Sequence, residues 1–137
     1  MNKVVIANWG GEKQGKSASV KNVFYLLKDK YAYEVFNDRG DIKAIVEIKG
    51  VKVGIESQGD PGSRLFRSID DFLAAGCNII VCACRSRGKT AEKVASLKDN
   101  GYEVIWTQND RTNAAELHSF LNQLYAEKVV KFLEAGI

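Results

Sequence analysis

From Gly10 to Ser17 the chain reads Gly-Gly-Glu-Lys-Gln-Gly-Lys-Ser, a run whose residue types suit the capture of an anion. Glycine at positions 10, 11 and 15 lets the backbone curl so that successive N–H groups point at one oxygen-rich group. A helix starting near Lys16 would add the positive end of its dipole, and the Lys16 ammonium adds a full charge. A second cationic stretch, Arg85-Ser86-Arg87-Gly88-Lys89, follows an apolar run and is placed either over the same anion or as a solvated loop.

Such a loop works only if rigid elements hold it. Lys3 to Trp9 is nearly all apolar, the pattern of a strand buried on both faces. After Ser17, the spacing of Val20, Val23, Phe24 and Leu27 predicts a helix to about Asp29. Ile42 to Ile48 and Val51 to Ser57 are β-branched runs joined at Lys49-Gly50, a hairpin signature and hence an antiparallel pair. Ser63 is placed to cap a helix carrying Leu65, Phe66, Ile69, Phe72 and Leu73, with Gly76 at its left-handed end. Asn78 to Cys84 reads as a second buried strand, Thr90 to Asn100 as a helix ending at Gly101, and Glu103 to Thr107 as a third buried strand. Asn113 with Glu116 resembles a capping box for a last helix through Leu117, Phe120, Leu121, Leu124, Val129 and Leu133. Alternation of buried strands with amphipathic helices predicts a three-layer α/β fold, mostly parallel with one antiparallel hairpin strand, and ligands at the carboxyl ends of the strands.

The run from Gly10 to Ser17 fits G-x-x-x-x-G-K-[ST] at every fixed position, the Walker A pattern, and here the chain resembles the P-loop NTPase superfamily. The resemblance implies a P-loop NTPase fold that binds ATP or another nucleoside triphosphate with Mg²⁺ through Gly10, Gly11, Glu12, Lys13, Gln14, Gly15, Lys16, Ser17 and Ala18. It assigns Lys16 to the β and γ phosphates and Ser17 to the metal. It also implies an acid at the end of a strand beside the P-loop strand. The order of loop, helix, hairpin and then Glu56-Ser57-Gln58-Gly59 is similar to small GTPases, with Glu56 standing where D-x-x-G has aspartate. Glu56 is therefore the second candidate metal ligand, and a strand cap the plainer reading. In that alignment Asp60 falls where the attacking water is oriented, although Asp60-Pro61-Gly62 also makes an ordinary turn. Arg85 joins Lys16 and Asp60 as a candidate catalytic residue. The base-reading N-K-x-D is absent; Thr107-Gln108-Asn109-Asp110 ends the last strand near where a base would sit. Gly88-Lys89-Thr90 repeats only the end of the pattern and reads as a helix cap.

The remaining residues set limits. A 137-residue chain with 45% hydrophobic and 27% charged residues is expected to form a single nucleotide-binding domain. The longest apolar runs are too short to cross a bilayer and no signal peptide opens the chain, so a cytoplasmic protein without a membrane partner is expected. A net charge of +3 with scattered lysines does not indicate nucleic acid. Cys77, Cys82 and Cys84 lack metal-ligand spacing and are assigned to the core. His118 lacks a nucleophile signature and is placed on the surface; Trp9 and Trp106 are read as core or rim aromatics. Hydrolysis of the γ phosphate is preferred, because no lid or acceptor domain is visible. A small-molecule kinase, with its acceptor near Asp38, Arg39, Arg64 or Arg85, and a non-catalytic switch with a protein partner are the alternatives, the switch ordering residues 30 to 42 and 57 to 64 on binding.

Overall fold

The computed structural model describes residues 2–10, 15–60, 62 and 64–137; the expectations placed on Gly11, Glu12, Lys13, Gln14, Pro61 and Ser63 lie outside them. Ten main elements follow one another: β1 Val4–Trp9, α1 Lys16–Lys28, β2 Ala32–Asn37, β3 Lys43–Ile48, β4 Val51–Glu56, α2 Leu65–Ala74, β5 Ile79–Cys84, α3 Lys89–Ala95, β6 Glu103–Thr107 and α4 His118–Gly136. They form an α/β fold around a six-stranded mixed sheet in the order β2-β3-β4-β5-β1-β6. β1 pairs in parallel with β5 and β6, and β4 in parallel with β5. Only β3 runs against its neighbours, pairing antiparallel with both β2 and β4. The carboxyl ends of β1, β4, β5 and β6 therefore share one edge of the sheet.

Strand periodicity divides the apolar residues between two helical layers. Val4, Ile6, Ile79, Val81 and Ala83 face α1 and α4, where Val20, Val23, Leu27, Ala126, Val129 and Leu133 complete one core. Val5, Ala7, Ile80, Cys82 and Cys84 face the other way, towards Leu65, Ile69 and Phe72 of α2 and Val94 of α3. Burial on both faces explains why β1 and β5 read as continuous apolar runs. All three cysteines are free and buried, and burial pushes the Cys77 and Cys84 thiols up to about 11. The β3–β4 turn has Lys49 at φ 50 and Gly50 at φ 83, the two left-handed residues a tight hairpin needs.

Gly54 on β4 lies beneath Phe72, and a Cβ at that position would come within 2.5 Å of the ring. Gly54→Ala is thus expected to lower the unfolding free energy by about 1–3 kcal/mol through overpacking, read from denaturant midpoints.

Three expectations need correction, and one strand was not foreseen. Residues 32–37 form an extra edge strand, β2, whose side chains are mostly exposed, so no buried run announced it. β6 is an edge strand rather than a buried one, and Trp106 is 43% exposed. Asn113 does not cap the last helix: a short 3-10 turn, Ala115–Leu117, intervenes and α4 begins at His118 without a side-chain cap. Thr112 Oγ1 instead accepts from the Ala114 N–H at 3.1 Å. Finally, β4 does not lie beside β1, because β5 is inserted between them.

Candidate functional site

At the carboxyl edge, β1 ends at Trp9 and the Gly10 N–H bonds back to the Cys84 carbonyl at 3.2 Å. Gly15, with φ 74, is the residue before α1. A Cβ on Gly15 would collide with the Asn122 amide, and Asn109 lies 3.1 Å away, so both conformation and space require glycine here. Polar side chains fix this entry point. Asn109 Oδ1 accepts from Asn8 Nδ2 at 2.8 Å and from Ser19 Oγ at 2.9 Å, while Asn109 Nδ2 donates to Asn122 Oδ1 at 2.7 Å. The network ties β1, α1, the residues after β6, and α4 around the start of α1, which stiffens it where an anion would bind.

Lys16, in the first turn of α1, is almost fully buried, yet its Nζ reaches Asp60 Oδ1 at 3.4 Å. Arg85, one residue past β5, places Nε 3.2 Å from the same oxygen. The structure thus brings together Lys16, Asp60 and Arg85, which lie far apart in the chain. Gly59 makes the approach possible. A Cβ there would collide with the Ala83 carbonyl, so only glycine lets the segment after β4 cross the end of β5. Thr90 accepts from the Arg85 N–H at 3.3 Å, holding the Arg85 loop rather than capping α3.

The acids divide differently from the expectation. Glu56 is fully buried. Arg64 contacts it twice, at 2.9 and 3.1 Å, Ser68 Oγ donates at 2.5 Å, and the Gln58 N–H donates at 3.0 Å. Its oxygens are committed to the start of α2, and it is not joined to Ser17. Ser17 Oγ instead donates to Asp41 Oδ1 at 2.6 Å. Ser57 Oγ donates to that oxygen at 2.9 Å, Gln58 Nε2 approaches Asp41 Oδ2 at 3.4 Å, and Lys21 Nζ is 4.0 Å away. Burial pushes the Asp41 carboxyl up, but the bonds from Ser17, Ser57 and Gln58 and the Lys21 charge outweigh it and leave its pKa lowered. Asp41 is therefore ionised near neutrality, directly beside the hydroxyl expected to meet a metal. Sequence reasoning missed it because the loop after β2 carries no pattern of its own; its only signal was a polar Asn37-to-Asp41 run before the hairpin.

A hard divalent cation takes oxygen ligands. Ser17 Oγ and the Asp41 carboxylate, touching each other and drawn from separate elements, fit that requirement; Glu56 does not, because its oxygens already serve Arg64, Ser68 and Gln58. Ala18 follows Ser17 within the first turn of α1. Beside Gly15 lies a cavity of about 350 Å³ lined in part by Asn109, Asp110, His118, Leu121 and Asn122.

Arginine is confined to this edge. All six arginines lie in the segments following the carboxyl ends of strands, or in the first turn of α2: 39, 64, 67, 85, 87 and 111. Lysines are spread over the whole chain. Guanidinium suits bidentate recognition of phosphate and carboxylate better than ammonium does.

Among the described residues, no helix is long and apolar enough to cross a membrane, and no group of three or more His, Cys, Asp or Glu side chains could hold a metal by itself. Comparison with protein-family models, curated proteins and solved structures finds no match to this chain.

Proposed function

We propose that the chain is a P-loop nucleotide-binding domain that takes a nucleoside triphosphate, ATP in our reading, with Mg²⁺, and hydrolyses its γ phosphate. The observation that carries this reading is the meeting at Asp60 of Lys16, in the first turn of α1, and Arg85, one residue past the carboxyl end of β5. Lys16 and Arg85 neutralise charge that builds on the transferring phosphoryl group. Gly15 and the N–H groups opening α1 bind the phosphates. Ser17 and Asp41 would hold the magnesium, which supplies further charge neutralisation at the phosphates. The cavity beside Gly15 is where the base would lie.

The arginine distribution favours a second reading of the same site, transfer of the phosphoryl group to an anionic acceptor. Among the described residues, Arg39 and Arg87 form no ion pair, and both lie on the Asp60 side of β1 in the sheet order.

Calorimetric titration with MgATP and MgGTP, followed by chromatography of the nucleotides, tests both readings. We expect MgATP to bind and ADP with free phosphate to accumulate. ADP formed only when a phosphate-bearing acceptor is added would establish transfer. A folded protein that binds no nucleoside triphosphate removes the proposal.

A further inference from the structure

We propose that Asp60 is a built-in competitor for the phosphate site, holding Lys16 and Arg85 through one carboxylate oxygen, so that it sets the affinity for the triphosphate. The inference rests on the phosphate-binding reading of the glycine turn and adds a regulatory element to that site.

The argument is an asymmetry of burial. The Lys16 side chain is 9% exposed, whereas that of Asp60 is 60% exposed. An ammonium with so little exposure favours an anion beside it, while an acid as exposed as Asp60 can turn into solvent at little cost. Lys16 and Arg85 approach the same oxygen at 3.4 and 3.2 Å, longer than the 2.7–2.9 Å typical of strong charge-assisted bonds. The contact is loose enough to be exchanged for a better anion. A phosphate offers several oxygens and greater charge, and it would also repel the carboxylate.

The backbone does not need to move for this exchange. Gly59 is packed on the Ala83 carbonyl. Gln58 is held by its N–H on Glu56 and by its side-chain carbonyl, which accepts from the Arg64 N–H at 3.0 Å. Rotation of the Asp60 side chain alone takes this oxygen away from Lys16 and Arg85. The anchored backbone then keeps the acid close enough to return when phosphate leaves.

The test compares wild type, Asp60→Asn and Lys16→Met by calorimetry, with inorganic pyrophosphate and MgATP as probes and circular dichroism confirming the fold. Asp60→Asn keeps the side-chain shape and removes the charge. It is expected to bind both probes about tenfold more tightly, the scale of one partly solvated charge interaction. Unchanged or weaker binding by Asp60→Asn, with wild type binding normally and Lys16→Met impaired, overturns the competitor role and leaves the phosphate site standing. If folded wild type and Asp60→Asn both bind neither probe, the phosphate site itself fails and the inference fails with it.

Discussion

Replacing Lys16 by methionine is expected to weaken MgATP binding at least a hundredfold, about 3 kcal/mol, with little change in thermal midpoint. The substitution separates two roles of this side chain. Its stem is buried at the start of α1, and methionine, unbranched and apolar, fills a similar path. The ammonium is lost. Its pairing with Asp60 contributes little to stability, because the acid is mostly exposed and its attraction is screened by water. In the proposed site the Lys16 ammonium, in the first turn of α1, is a full positive charge that the triphosphate would meet. Calorimetry and a melting curve on the same preparation check the expectation. Full affinity in the variant would mean that the glycine turn binds its ligand without Lys16, and the proposed function would fall. Arg85→Ala is expected to have a smaller effect on binding, since Arg85 stands one residue beyond β5, outside the first turn of α1, and shares Asp60 Oδ1 with Lys16.

Much of the scaffold was legible because its signals are local. β1 and β5 are apolar on both faces and bounded by turns; α1 and α2 carry stripes at helical spacing; Lys49-Gly50 has the turn chemistry of its hairpin. The two strands buried on both faces, the first two helices and the hairpin follow from those features. Strand order was not legible. The inference that β4 lies beside β1 came from chain order, but β5 is inserted between them through pairings such as Ile55 with Val81 and Ile6 with Val81. No pattern within β5 states which strands flank it, since a strand buried on both faces accepts apolar neighbours on either side. The assignment of Glu56 to the metal rested on that neighbour relation. An acid next to β1 would face the phosphates, whereas Glu56, one strand further away, is enclosed by Arg64 and Ser68 of the α2 region. Asp41 was hidden for the opposite reason: its role depends on β2 and β3 returning it to Ser17, and β2 is too exposed to leave a hydrophobic pattern. Asp60 and Arg85 could be selected from sequence by their positions after strands, but their shared contact depends on Gly59 crossing β5.

Glu56 and Asp41 therefore predict opposite phenotypes. Glu56→Ala is expected to cost about 3 kcal/mol of stability, near the low end for removing one member of a buried pair. The low end applies because the Arg64 side chain is 24% exposed and can recover some hydration. Ser68 would also lose its acceptor and the Gln58 N–H its partner, leaving donors buried near the start of α2. Asp41→Ala should affect metal dependence instead, raising the Mg²⁺ concentration needed for half-maximal ATP binding by about tenfold or more, with a smaller loss of stability. That stability has a defined pH dependence. The Asp41 pKa is lowered in the folded protein, so its contribution is fully present above the unfolded aspartate value and is lost as pH falls through the lower folded value. Wild type and Asp41→Ala should consequently differ in unfolding midpoint at neutral pH and converge in acid. Denaturant titrations at several pH values, together with ATP titrations over a Mg²⁺ series, distinguish the two residues. If Glu56→Ala instead changes the Mg²⁺ requirement while retaining wild-type stability, the buried carboxylate is the metal ligand and Asp41 only organises its loop.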